Sequence, residues 1–291
     1  MIVVAGLKIV GSTIAYRIRK LEMANMAAAA SLAVAFRLSL VDVAVRVLFA
    51  FLLNALVYLN NDYIDVSIDL QSGGKDAAKS RYLADNMQAA LWAQLMMLGA
   101  LALGAVFYDP GLLVPLIAGG GICWWYSAKL KHAPPWDIVA MMIWGVTMPL
   151  VGAPVTSLLA WALALQLGLF SGVFETIQVM RDAEEDAKEG VRTTGVALGV
   201  KRAGLLARGL MVLCTAYALL VLHPVAAGIS LVALLVPCDD QKIELYWTRI
   251  KMIYGVAWLM LCGWVFWKQT SAGLLWTIDV GKSVLSCLGP A

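Results

Sequence analysis

Apolar stretches follow one another along almost the whole chain with only short polar breaks, and they constrain the fold more than any motif does. They lie near 22–39, 43–60, 87–107, 111–128, 137–155, 158–180, 203–222, 224–237 and 252–268, each with few charges or none. A hydrocarbon core about 30 Å thick is crossed by about 20 helical residues, so runs of this length read as spans. The pattern predicts an all-α polytopic membrane protein of about nine transmembrane helices around a central intramembrane cavity. The run 224–237 is short, and eight spans with a re-entrant segment is the alternative. Composition excludes a soluble globule: the chain is 62% hydrophobic and 14% charged, against roughly 25% charged in ordinary soluble domains. No boundary marks a second domain, so residues 1–291 read as one. No cleavable signal is expected, because Met1 to Val10 lacks a basic segment before it and Arg17, Arg19 and Lys20 follow it.

The distribution of charge predicts orientation. Lysine and arginine gather before the first run and after the second, fourth, sixth and eighth, while the alternate connections 108–111 and 152–156 contain neither. Cytoplasmic loops carry the excess of basic residues, so the N-terminal segment and the even-numbered loops are expected in the cytoplasm. Arg37 is the main exception, with Asp42 and Arg46 placed to pair at i, i+4. The net charge of +3 arises from this one-sided pattern and gives no support to a nucleic-acid partner. Cys123, Cys214, Cys238, Cys262 and Cys287 show no Cys-x-x-Cys spacing and read as small apolar residues. His132 and His223 fall on opposite sides of the membrane in this topology, so they share no site.

Acids are costly in such a chain, yet two clusters of them stand at the mouths of apolar helices. In Asn61-Asp62-Tyr63-Ile64-Asp65-Val66-Ser67-Ile68-Asp69, the carboxylates recur at i, i+3 and i+7 and share a helix face, with Tyr58 one turn earlier. A divalent cation relieves their repulsion, and carboxylate oxygens suit Mg2+, which is commonly held by one or two carboxylates plus substrate phosphate oxygens. The second cluster, at the end of the sixth run, sets Asp182 and Asp186 at i, i+4, with Glu175 and Gln178 extending the stripe back into the apolar stretch. A single D-x-x-D on a soluble helix is most often a solvated face. Two such clusters on one side of a membrane read as the walls of a metal–diphosphate site. Glu184 and Glu185 are weaker candidates, at least one of them on a solvated face. Asn54 either lines the cavity or bonds a neighbouring helix. Trp124, Trp125, Trp136 and Trp144 read as interfacial anchors and core.

These residues carry a family resemblance. Asn61 to Asp69 matches the N-D-x-x-D-x-x-x-D signature, and Asp182 to Asp186 the D-x-x-x-D signature, of the UbiA superfamily of intramembrane prenyltransferases. Lys188, Gly190 and Thr193 resemble that family's continuation, and Tyr126-Ser127-Ala128-Lys129-Leu130-Lys131 its Tyr/Lys segment after the fourth helix. The resemblance runs from the first span to the last and weakens after about residue 205. One departure concerns the loop 71–82, which keeps cations at Lys75, Lys79 and Arg81 but lacks the proline of the family's R-P stretch.

The resemblance implies a Mg2+-dependent transfer of an isoprenoid group from a prenyl diphosphate to a lipophilic, often aromatic, acceptor. Asp62, Asp65, Asp69, Asp182 and Asp186 would hold the metal; Asn61, Lys75, Lys79, Arg81, Lys129, Lys131 and Lys188 would bind substrate, and Tyr126 would meet the diphosphate or the cation. The partners implied are a prenyl diphosphate, the acceptor and membrane lipid, with the active site opening to the cytoplasm. UbiA-type terpene cyclases share both motifs and need no acceptor. A phosphoribosyl-type transferase of the same superfamily needs polar sugar contacts that the sequence does not supply. A cation-coupled secondary transporter also uses opposed acidic clusters, but near the membrane midplane rather than at one face.

Overall fold

The computed structural model describes residues 2–19, 22–72, 77–239 and 242–270, and every regular element among them is helical. In order these are α1 (Ile2–Arg19), α2 (Ala24–Ala35), α3 (Leu40–Ser72), α4 (Ala77–Asp85), α5 (Met87–Tyr108), α6 (Gly120–Ala128), α7 (Trp136–Thr147), α8 (Leu158–Lys188), α9 (Thr194–Tyr217), α10 (Pro224–Leu235) and α11 (Ile243–Thr270). Six stretches are long and apolar enough to cross a membrane: Leu40–Leu70, Met87–Tyr108, Pro110–Ala128, Leu158–Lys188, Thr194–Leu222 and Ile243–Lys268. The other three expected runs form shorter apolar helices, Asn25–Ala35, Trp136–Gly152 and Pro224–Leu235. Their length explains why the expected nine spans are not reached by this measure: a helix of 12 residues, as α2 and α10 are, rises only about 18 Å. The chain is an integral membrane protein. Outward-facing Met96, Phe107, Leu205, Met252 and Leu259 would form a costly apolar surface in water and an ordinary one in lipid.

Proline and glycine shape the interior of the bundle. Pro115 opens a π-helical turn, Pro115–Gly119, before α6, as a residue that lacks an N–H and crowds the preceding turn is expected to do. Gly195 lets α9 lie against α8 at backbone distance, since a β-carbon there would stand 1.9 Å from the Val179 carbonyl oxygen. Helix ends are capped locally: the Ser157 hydroxyl accepts from the Ala160 N–H at 3.3 Å, and His223 Nδ1 from the Val225 N–H at 3.2 Å. The larger apolar core joins α2 to α8–α11 and includes the stack of Phe170 on Tyr254, with ring centroids 4.1 Å apart. A second core joins α2, α3, α5, α6 and α7. Helix α1, which lies outside the nine expected spans, packs through Ile9 against Leu59 of α3, Leu83 of α4 and Ala89 and Ala90 of α5.

Contacts between helix ends define the two ends of the bundle. At one, Arg46 donates to the Val151 carbonyl at 2.8 Å and pairs with Asp109. The expected Asp42–Arg46 pair does not form. Arg46 is 8% exposed and turns inward to partners beyond its own helix, while exposed Asp42 accepts from Ser39 at 2.6 Å and from Tyr108. At the opposite end the last turns of α3 and α8 meet α4, the Leu130–His132 turn and the start of α11, and there the acidic residues collect. Cys123, Cys214 and Cys262 are buried free thiols and Cys238 is partly buried, while Cys287 lies outside the described residues.

Candidate active site

Helices α3 and α8 contain 33 and 31 residues, lengths of about 45–50 Å that overrun a 30 Å apolar core. Their final turns therefore stand at the mouth of the bundle, where acids remain solvated or meet cations. On α3 the surrounding elements close over these acids, leaving Asp62, Asp65 and Asp69 only 4%, 2% and 8% exposed. Burial at that depth requires partners. Asp62 accepts from Arg17 at 2.7 Å, from Lys79 at 2.5 Å and from the Thr13 hydroxyl at 3.1 Å. Asp65 accepts from Lys131 at 2.9 Å. Asn61 accepts from Ser127 at 3.2 Å, which fixes α3 against α6.

The second cluster is more open. Asp182 takes a two-point contact from its neighbour Arg181, at 2.7 and 2.9 Å, and Arg181 also reaches Glu244 of α11 at 3.0 Å. Asp186 accepts from Thr193 at 3.0 Å. The local fold explains this contact: Gly190 takes a φ of 74°, open to glycine at little cost, and turns the chain so that Thr193 both caps α9 and faces Asp186. Lys131 joins the two walls, since besides its bond to Asp65 it acts electrostatically on Glu175 and Asp186. A cavity of about 570 Å³ opens beside the end of α8, lined by Arg181, Glu184, Glu185, Lys188 and Glu189.

The structure brings most of the expected residues together. Asn61, Asp62, Asp65, Asp69, Lys79, Tyr126, Lys131, Asp182 and Asp186 belong to this end of the bundle. Arg81 and Lys129 are exposed. Lys188 pairs with Glu184 at 2.7 Å on the exposed face of α8, away from the motif carboxylates. Lys75 lies outside the described residues.

Several groups at the site had no place in the sequence expectation. Arg17 reads as a topology charge, yet it bonds Asp62 and Glu22, at 2.7 and 2.6 Å, and lies 4.4 Å over the Tyr58 ring. Burial opposes its charge, but Asp62 and Glu22 outweigh that cost and hold its pKa above the ordinary value. The available signal was the i, i+4 spacing of Thr13 and Arg17, which puts them on one face of α1. Asp137, fully buried at the start of α7, accepts from the Thr194 N–H at 2.6 Å and from the Thr194 hydroxyl, bolting α7 to α9. Tyr126 donates to Glu175 at 3.0 Å, one pair made from two residues expected separately.

The donor set suits a hard cation only in part by itself. Among the described residues no group of three or more His, Cys, Asp or Glu side chains converges to hold a metal ion. The carboxylates are spread over two walls, and Asp62, Asp65 and Asp182 are already paired with arginine or lysine. That arrangement fits Mg2+, which keeps few protein ligands and completes its octahedron from phosphate oxygens, with the cations then free to meet the anion.

A profile of the UbiA prenyltransferase family matches residues 23–238. Among solved structures, a UbiA homologue from Archaeoglobus fulgidus bound to GPP and Mg2+ is similar at 17% identity and a TM-score of 0.68, with 87% of this chain and 99% of that one covered. The same organism's homologue bound to DMAPP and Mg2+ aligns at 18% identity and a TM-score of 0.65, over 84% of this chain and 96% of the other. A structure concerning digeranylgeranylglyceryl phosphate synthase in membranes aligns at 17% identity and a TM-score of 0.66, over 88% and 98%. A comparison with curated proteins finds no match.

Proposed function

Because the chain belongs to the UbiA prenyltransferase family, we propose that it moves an isoprenoid group from a prenyl diphosphate to a lipophilic, aromatic acceptor, with Mg2+ held by Asp62, Asp65, Asp69, Asp182 and Asp186. One observation carries this reading: carboxylates on the ends of α3 and α8 face one mouth with Arg17, Lys79, Lys131 and Arg181 already seated on them. Such a site offers both signs of charge, as a metal diphosphate demands. The relatives bound to GPP or DMAPP with Mg2+ support the choice of donor and metal.

An allylic diphosphate ionises when the charge on its leaving group is met, and Mg2+ supplies that charge when bound. Lys79 and Lys131, and Arg17 as a planar fork, add fixed positive charge to the departing oxygens. Asn61 and Ser127 hold α3 and α6 at a set distance so that the carboxylates keep their places. The apolar interior then receives the chain and keeps water from the cation until the acceptor reacts. The basic loops support a site that opens to the cytoplasm.

Release of diphosphate by the purified protein in lipid nanodiscs, supplied with geranyl diphosphate and Mg2+, tests this reading. Release that stops on chelation is expected. No release with either geranyl or dimethylallyl diphosphate overturns it.

A further inference from the structure

Glu175 is a charge-bearing side chain that the ionisation step does not use. It lies on α8 two turns inward from Asp182, about 10 Å along the axis, and is 7% exposed. Among the described residues no ion pair reaches it. Lys131, the cation in electrostatic range, gives its hydrogen bond to Asp65. Its partner is the Tyr126 hydroxyl at 3.0 Å. A buried acid held by one neutral hydroxyl is expensive to keep, and such groups concentrate where proton transfer is needed.

The pair also occupies the right place. Tyr126 adjoins Ser127, which bonds Asn61 beside the first metal-binding aspartate, and Tyr126 lies in electrostatic range of Asp65 and Asp137. Glu175 lies in electrostatic range of Asp137, Asp182, Lys131 and the Cys123 thiol. The hydroxyl and carboxylate therefore join α6 to α8 inward of the acidic mouth, next to the Ser127–Asn61 contact that ties α6 to α3.

Resting on the function proposed above, we propose that Glu175 and Tyr126 form a relay that accepts the proton released by a hydroxyl-bearing acceptor. The bond from the prenyl carbon to the diphosphate oxygen breaks, with both electrons leaving on the diphosphate. A lone pair of the acceptor oxygen, or the ring electrons conjugated with it, forms the new bond to that carbon. The acceptor proton passes to Tyr126 Oη as Tyr126 passes its own to the Glu175 carboxylate, which returns it to water through the mouth. Glu175 reaches the acceptor through Tyr126 and so acts as a positioning and proton-storing residue.

The test uses the full chain in nanodiscs with geranyl diphosphate, Mg2+ and 4-octylphenol or a lipid extract of the membranes. It compares the unmodified protein with Glu175→Gln, Glu175→Asp and Tyr126→Phe. Glutamine still accepts the Tyr126 hydrogen bond, so a helix tie survives while the proton acceptor does not. The expected result is geranyl diphosphate binding within twofold of the unmodified protein, transfer reduced by about 100-fold, and loss of the base-dependent limb of the pH–rate profile. Glu175→Asp is expected to restore part of the rate with a shifted profile, and Tyr126→Phe to slow transfer more than binding. Transfer by Glu175→Gln within threefold of the unmodified protein overturns the proposal. So does equal loss of binding and transfer in all variants, the mark of a structural tie. Diphosphate release with no prenylated product overturns this proposal alone. Absence of release overturns the function it rests on.

Discussion

The Arg17 guanidinium donates to Asp62 at 2.7 Å across 45 residues of sequence, from a helix that precedes the family match at residue 23. The same helix supplies Thr13 to the other Asp62 oxygen, and Lys79 of α4 completes the set. A first-motif carboxylate is thus held in place by elements on both sides of α3. The two cations also lie against aromatic faces, Arg17 over Tyr58 at 4.4 Å and Lys79 over Tyr16 at 4.7 Å, which limits where each can move.

Replacing Arg17 with alanine removes a charge-assisted bond worth about 1.5–3 kcal/mol, while Lys79 and Thr13 remain. The expected outcome is about tenfold weaker binding of geranyl diphosphate, equivalent to roughly 1.4 kcal/mol, with a lowered thermal midpoint. Arg17→Lys keeps the charge but not the fork and should fall between the two. Calorimetric titration in nanodiscs checks this, and unchanged affinity in Arg17→Ala would remove the residue from the site.

The metal assignment predicts a different pattern. Asp62→Asn, Asp65→Asn, Asp182→Asn and Asp186→Asn are each expected to lower turnover by about 100-fold or more, and chelation to abolish it. Asp69→Asn should cost less if Asp69 meets the metal through water. Diphosphate release, measured beside a protease-protection assay for insertion, reads both quantities. Full activity in all four variants would end the metal assignment.

The acids were legible in the sequence because charge is rare in this chain and their spacing places them on single helix faces. Their partners were not. Thr13 and Arg17 act across 49 and 45 residues, a separation that hides the partner, and Arg17 taken alone reads as a topology charge. Asp42 and Arg46 show the converse. A local spacing invited a pair, but burial of Arg46 favoured Asp109 and the Val151 carbonyl. Asp137 looked like the edge of a span and proved to be the acceptor that locks α7 to α9. Hydropathy located the nine apolar runs; six of them form helices long and apolar enough to cross a membrane and three form shorter apolar helices, a difference of helix length that composition does not register.

Topology has its own test, independent of the chemistry. In a cysteine-free background, cysteines at Lys129 and Glu189 should be labelled from the cytoplasmic side, and one at Thr156 from the opposite side. The Tyr126–Glu175 bond between α6 and α8, and the reach of Lys131 to both Asp65 and Asp186, support a shared end for the first two. The Arg46–Val151 contact supports the other end for the connection that carries Thr156. Labelling of Lys129 and Thr156 from one face contradicts the arrangement.

Transfer and cyclisation share the ionisation step, so diphosphate release alone does not separate them. The fate of the cation does. A transferase leaves its acceptor pocket empty when no acceptor is supplied, and water is then the sole competing nucleophile, so slow formation of the prenyl alcohol is expected without acceptor. Addition of a lipophilic phenol should raise the rate of product formation and replace the alcohol by a prenylated phenol. A cyclase would instead convert geranyl diphosphate alone into one cyclic terpene at full rate, indifferent to the phenol. Gas chromatography of acceptor-free and acceptor-containing incubations distinguishes the outcomes, and a single cyclic product from the acceptor-free reaction decides against transfer.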